Sequence, residues 1–555
     1  MASTLFPLLL ALAGGASTAG TPASDLILAG GALRTCSDLA PSACRRAPQR
    51  TDARTPPRFV VDDAGARRAL EPALWAERDG APDRRQLLRM LSSARAAGTV
   101  DADAMAERFD AVCLPPCRDD RDRPWRRLVD EERAALLSAL EVPQGSAEAR
   151  PREQAYLDQS RESSGVAVLR AFVESARLRA NGEPPRIAVV TASALDPMEP
   201  VDFYLDAFRQ LGAKPEWWPL DAALRDAIAA GDCRRLDTAR QQTLGMSGRD
   251  RIYADLGALQ WRACLAPESL AAVPGRVQGV FFAGGDQWRH RRAFFDDSGQ
   301  PLPWLVSLRD AHARGSLVVG GTSAGTAVQG GAAMLSNGTT REALLSGTQA
   351  TAPPAPGCGR ARRCAGGLPE DALTYWSGGG LGLLPGWSLD THFSERAREL
   401  RLLRLMHDAG VDFAAGVDET SALAFRRESG GWTVHALGAH GGWVFERLPG
   451  EGRTLRARVH YLAPGARLHA GAAGVRVDAT GDRVESVDDP MPVDALDDGA
   501  LRAAAARLAA GEASVRLPAA GGIATLSRSA DTRAWRSQDG RAGASHLILQ
   551  WTPGD

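Results

Sequence analysis

Three stretches of this chain are apolar at nearly every position and too short to be helices: Arg186-Ile-Ala-Val-Val-Thr-Ala192, Gly279-Val-Phe-Phe-Ala283 and Leu317-Val-Val319. Runs of this kind read as strands buried on both faces, because a strand with one wet face alternates polar and apolar residues. Helical patterns lie beside them at Val166–Asn181, Pro200–Leu211 and Trp304–Arg314. Such alternation argues for an α/β fold, a parallel sheet with helices on both faces. Sites in these folds form where the C-terminal ends of the strands meet their loops. Two glycine turns stand at such ends, Gly284-Gly285-Asp286-Gln287 and Gly321-Thr-Ser-Ala-Gly325.

The second turn has the Gly-x-Ser-x-Gly pattern. A chain that leaves a buried strand, turns sharply at Ser323 and enters a helix needs small neighbours, which Gly321 and Gly325 supply. The geometry lifts the hydroxyl above the sheet and leaves the N–H of Ala324 available to an oxyanion. A serine hydroxyl also needs a base, and the base needs an orienting group. Of the nine histidines, His392 has the most suggestive setting. It follows Asp390 at the end of a short strand, after the glycine-rich loop Gly378–Gly382, and precedes the basic helical stretch Ser394-Glu-Arg-Ala-Arg-Glu-Leu-Arg401. Taken alone, Arg396, Arg398 and Arg401 would read as a solvated helix face with Glu395 and Glu399 as ion-pair partners. The run Phe413-Ala-Ala-Gly-Val-Asp-Glu419 ends in two acids, either of which could orient His392.

The net charge of -1 gives no electrostatic footprint for nucleic acid or a membrane surface. Basic charge is almost all arginine, with Lys214 the single lysine. The N-terminal run Leu5–Ala13 is too short to span a bilayer but suits the apolar core of a signal peptide over residues 1–23, although no Lys or Arg precedes it. Eight cysteines fall into local pairs, 36–44, 113–117, 233–264 and 358–364, which suits disulfides in an oxidising compartment without fixing their connectivity. Cys113 and Cys117 lack the spacing of a zinc motif, so no metal is expected at the cysteines, and acyl-enzyme serine chemistry would need no metal or cofactor.

Leu26–Gly31 reads as a first strand (24–35) ending in a glycine turn. Residues 36–159 are Arg/Asp/Ala-rich, with helical stretches at Arg84–Ala97 and Glu131–Leu140, and read as a mostly helical insertion. Residues 160–428 carry the alternating pattern. Residues 429–555 hold short strands between glycines and one helix, Ala500–Gly511, and read as a small β-rich C-terminal domain. Its Trp432, Trp443, Trp535 and Trp551 would be core residues of a sandwich or, less readily, an aromatic binding face.

Taken jointly, Phe281-Phe-Ala-Gly-Gly-Asp-Gln287, Gly321–Gly325, Gly380-Leu-Gly-Leu-Leu-Pro-Gly386, Asp390-Thr-His-Phe-Ser-Glu-Arg-Ala-Arg398 with Arg401, and Gly416-Val-Asp-Glu-Thr420 resemble the cyanophycinase family of serine peptidases, relatives of dipeptidase E. The resemblance implies a flavodoxin-like, class I glutamine amidotransferase-like sheet and a triad of Ser323, His392 and Glu419. It implies oxyanion donors at Ala324 and Gly285. It implies a pocket in which Gln287, Arg396, Arg398 and Arg401 bind carboxylates, Asp390 accepts the substrate guanidinium and Thr391 stands where Gln is often found. The implied substrate is cyanophycin, polyaspartate bearing arginine through isopeptide bonds, cleaved to β-Asp-Arg dipeptides by an exported enzyme, with a homodimer as the implied assembly and no nucleic-acid or membrane partner. Thr391 leaves open another Asp-containing substrate, cut by an Asp-specific or isoaspartyl dipeptidase. A third reading is an inactive secreted polymer-binding protein.

Overall fold

The computed structural model describes residues 23–46, 53–75, 84–95, 98–113, 115, 117–119, 123–145, 150–471, 474–478, 495–537 and 540–554. The expected signal peptide, up to Thr21-Pro22, lies outside them.

The chain forms a mixed α/β structure with a β-rich C-terminal region. Its largest sheet has nine strands, in the order Gly474–Asp478, Arg467–Gly471, Gly431–Gly438, Ser421–Glu428, Leu26–Ala29, Val318–Thr322, Gly279–Phe282, Arg186–Val190 and Lys214–Trp217. The five from Leu26–Ala29 onward are parallel, and the other four continue the sheet antiparallel. The apolar runs are explained by what covers them. Val190, Val280, Phe282 and Val319 face one core, while Ile187, Val189, Phe281 and Val318 face another. Helix Ser163–Arg177 covers the second face with Val168, Leu169, Phe172 and Val173, and helix Pro303–Ala313 covers the first with Leu305 and Leu308. Each of these fully buried side chains contributes about 1.5–3 kcal/mol of transfer free energy. Gly320 lets the helix approach: an added Cβ would lie 2.6 Å from a ring carbon of Phe172.

A second sheet of seven strands begins with Trp387–Thr391 and Phe413–Val417, which pair in parallel. Gly442–Leu448, Leu455–Leu462, Ala542–Pro553, Gly522–Arg536 and Ser514–Ala519 extend it antiparallel. The strands after residue 428 therefore add to both sheets instead of closing on a sheet of their own. Trp443, Trp535 and Trp551 are at most 3% exposed, and Trp432 packs on Phe425, so these rings form no binding face.

Near the N-terminus, helices Asp63–Ala69, Arg84–Ala94, Ala102–Asp110 and Asp130–Leu140 enclose a core of their own around Met90, Met105, Phe109, Trp125 and Leu136. The four local cysteine pairs are disulfides, Cys36–Cys44, Cys113–Cys117, Cys233–Cys264 and Cys358–Cys364. Among the described residues no helix is long and apolar enough to cross a membrane.

Candidate active site

Strand Val318–Thr322 delivers Ser323 to a strained turn with φ 53° and ψ -118°, directly before the short helix Ala324–Ala327. The flanking glycines are obligatory. A Cβ on Gly321 would lie 2.2 Å from the Gly325 carbonyl oxygen, and one on Gly325 would lie 2.1 Å from that of Phe282. The turn is tied to the first strand: Ser323 N–H and Thr326 Oγ1–H both donate to the Ala29 carbonyl, at 3.0 and 2.7 Å.

His392 follows strand Trp387–Thr391, also at positive φ, 49°. Its N–H donates to the Gly30 carbonyl at 2.8 Å. Its Nε2 is 2.8 Å from Ser323 Oγ, and its Nδ1 is 2.7 Å from Glu419 Oε1. The three expected side chains are thus brought together in one relay, from three crossings between strand and loop. Glu419, not Asp418, receives the ring. Asp418 is fully buried, accepts the Ser394 N–H and pairs with Arg502. Burial holds the His392 imidazole below its ordinary pKa, and Arg396 and Arg398 add to that, while the bond to Glu419 works in the opposite direction. The ring is therefore neutral at pH 7, with Nδ1–H donating to Glu419 and Nε2 free to accept from Ser323.

Three neighbours of this relay escaped the sequence reading. Gly31, at φ 110°, abuts the ring: a Cβ there would lie 2.3 Å from His392 Cε1. Its carbonyl accepts the Thr420 N–H at 3.0 Å, which positions the Glu419 turn. Glu395 accepts the Glu419 N–H at 2.9 Å and is itself held by Arg502. Arg34 reaches the second oxygen of Glu419 at 3.5 Å. The glycine pair 30–31 was visible as a turn, but nothing local shows which histidine it abuts.

The oxyanion candidates stand on either side of the serine. Ala324 opens a helix, where the N–H has no intrahelical acceptor. Gly285 sits at φ 144° in the neighbouring turn, and a Cβ there would strike the Ser193 carbonyl at 2.4 Å.

Ser323 and His392 open into a cleft of about 430 Å³ that Gly285, Gln287, Asp390, Thr391, Arg396, Arg398 and Arg401 also line. Gln287 Nε2 donates to the Leu335 carbonyl at 2.7 Å. Arg398 Nη1 donates to the Thr391 carbonyl at 2.7 Å. Asp390 departs from its implied part. It is 2% exposed, and Arg401 grips it with two bonds, Nε to Oδ2 at 2.8 Å and Nη2 to Oδ1 at 2.6 Å. Burial would raise this carboxyl, but Arg401 and Arg398 outweigh it and hold Asp390 below its ordinary value. The expected helix-surface pairing also fails: Glu395 turns to Arg502, Glu399 is buried, and Arg396 is exposed with no acidic partner among the described residues. A larger cavity, about 830 Å³, is lined by Arg34, Glu162, Glu199 and Tyr204 but by neither Ser323 nor His392.

No family model matches the chain. Proteins named cyanophycinase from Synechococcus elongatus and from Thermosynechococcus vestitus are each 29% identical to it over 194 residues, which cover 34% of this chain and 49% of the relative. A cyanophycinase of Geminocystis herdmanii is 24% identical over 249 residues, 45% of this chain and 66% of that protein. The chain thus spans about half the length of the first two relatives it matches. Among solved structures, a peptidase from an acI-B1 Actinobacterium aligns with a TM-score of 0.30 at 13% identity, covering 56% of this chain and 91% of that one.

Proposed function

We propose that the chain is a serine-type peptidase of the cyanophycinase kind, an exported exopeptidase that hydrolyses cyanophycin to β-Asp-Arg dipeptides. The observation that carries this reading is the relay Ser323 Oγ–His392 Nε2 at 2.8 Å and His392 Nδ1–Glu419 Oε1 at 2.7 Å inside a cleft with arginines on its wall. The partial likeness to proteins named cyanophycinase supports the substrate. The four disulfides support export. On this reading the sheet is flavodoxin-like, residues 24–35 and 160–428 form the catalytic unit, 36–159 are an insertion into it and 429–555 a β-rich extension whose strands join both sheets.

The chemistry runs through an acyl-enzyme. His392 Nε2 takes the Ser323 proton as Oγ attacks the backbone carbonyl between two aspartates, leaving the isopeptide bond to arginine intact. The N–H groups of Ala324 and Gly285 receive the oxyanion, a contribution of about 2.7–4 kcal/mol per donor in comparable sites. His392 then passes its proton to the leaving amine, and Glu419 stabilises the transient imidazolium. Water, deprotonated by the same ring, releases the dipeptide. The arginines bind substrate carboxylates, which Arg does with two parallel bonds.

The commitment of Asp390 to Arg401 favours a second reading, an Asp-specific or isoaspartyl dipeptidase whose substrate carries no guanidinium. Purified protein against insoluble cyanophycin, with products identified by mass spectrometry and Ser323→Ala beside it, separates the two. The proposal expects β-Asp-Arg from the wild type alone. Turnover of Asp dipeptides without any from cyanophycin would move the assignment to the second reading.

A further inference from the structure

The cleft wall beyond the relay comes from a three-stranded sheet, Met334–Asn337, Thr348–Gln349 and Leu373–Trp376, and its connecting loops. Four carboxylates line the cleft: Asp286, Glu370, Asp371 and Asp390. Three are committed. Asp286 caps helix Gln287–Phe294 by accepting the Trp288 N–H at 2.8 Å. Asp390 is held by Arg401. Glu370 spends both oxygens on the Gly357 and Gly359 N–H groups, at 2.6 and 2.8 Å. Asp371 alone is exposed with its charge unmatched, and its carboxylate receives a single long bond, from Thr339 Oγ1 at 3.3 Å.

The backbone beneath Asp371 is fixed from both sides. The Thr339 N–H donates to its carbonyl at 3.1 Å, and Asn337 Nδ2 donates to the carbonyls of Glu370 and Ala372 at 2.7 and 3.2 Å. The facing loop is fixed too, by the Cys358–Cys364 disulfide and by Asp130 of the first helical core, which donates its N–H to the Pro356 carbonyl at 2.9 Å and pairs with Arg360 at 2.6 Å. An uncommitted carboxylate on a rigid wall costs no reorganisation when a ligand arrives. Arg396 lines the same cleft and is a cation without an acidic partner among the described residues.

We propose that Asp371 is the specificity-determining residue of this cleft, pairing with a guanidinium on the substrate while Arg396 takes a substrate carboxylate. The cleft then reads a zwitterionic unit by its two free charges, and the buried Asp390 serves to position Arg401. The inference rests on the peptidase reading for its substrate but not for its binding site.

The test is calorimetric titration of agmatine, a guanidinium without a carboxylate, into the wild type, Asp371→Asn, Asp371→Glu and Ser323→Ala. Loss of one charge-assisted pair should weaken agmatine by about tenfold in Asp371→Asn, with Ser323→Ala unchanged and Asp371→Glu largely restored. Equal binding by wild type and Asp371→Asn, or no binding by the wild type, would overturn the proposal. Binding that depends on Asp371 in a protein that leaves cyanophycin intact would keep the subsite and remove the cyanophycin reading instead.

Discussion

Gly31 carries no functional group, yet it sets where the base stands, because an added Cβ would lie 2.3 Å from His392 Cε1. Gly31→Ala should push the imidazole off the line between Ser323 and Glu419 and lower turnover by about 10²-fold, the usual cost of an ångström of misplacement. Steady-state kinetics checks this. On the proposed reading His392 acts as a base only when neutral, and burial holds its imidazole below its ordinary value of 6.5. The acid limb of kcat/KM should therefore have its midpoint below pH 6.5, with activity gained as pH rises through it. Glu419→Gln removes the bond that raises the ring's pKa, so the midpoint should fall further while kcat drops by about 10⁴. A pH–rate profile reads both. Ser323 stood out in the sequence through its Gly-x-Ser-x-Gly turn and His392 through its place after Asp390 at a strand end, whereas Glu419 was singled out from Asp418 only by the family resemblance. Gly31, Arg34 and Asp371 did not stand out, since what each touches comes from segments far apart along the chain.

Helix Glu399–Asp408 shows what a local pattern cannot say. Its alternating charges suggest a wet face with ion pairs along it, but the helix lies against the second sheet, where Leu402, Leu403 and Met406 meet Phe445 and Val459 in one core. Glu399 is 1% exposed, and burial, reinforced by Asp418, pushes its carboxyl from 4.5 up to about 8. A carboxyl raised in the folded state favours folding only while protonated, so this contribution is full below pH 4.5 and is lost as pH climbs toward 8. Glu399→Gln should leave stability near neutral at low pH and raise Tm relative to the wild type above pH 8, measured by thermal melts across that range. Arg401 of the same helix is 5% exposed on the equally buried Asp390. Arg401→Met removes both short bonds to Asp390, leaves Arg398 at 3.5 Å as its remaining cation, and should cost about 3 kcal/mol in a denaturant titration.

At the scale of the whole molecule, the parallel core was legible because short continuous apolar runs at Arg186–Val190, Gly279–Phe282 and Val318–Thr322 alternate with helical segments, the pattern of a sheet covered on both faces. The C-terminal strands were legible as strands, but their partners were not. Gly431–Gly438 continues the sheet that holds the serine, and Gly442–Leu448 continues the one that holds the histidine. Register across such distances is set by burial, which a sequence pattern does not assign to a particular sheet. The helical core near the N-terminus reaches the cleft through Asp130, and Glu131 pairs with Arg289 beside it. The Cys233–Cys264 disulfide spans 31 residues beside the parallel core, and removing it by Cys233→Ala with Cys264→Ala should cost about 3 kcal/mol. The claim on which the rest depends is that Ser323 is a nucleophile activated by His392. Its most direct test is a fluorophosphonate reacted with the folded protein, with the adduct located by peptide mass spectrometry in the wild type, Ser323→Ala and His392→Ala. A single adduct on Ser323, absent in Ser323→Ala and strongly slowed in His392→Ala, is the expected result. No adduct on Ser323, or one formed equally fast without the histidine, would contradict it.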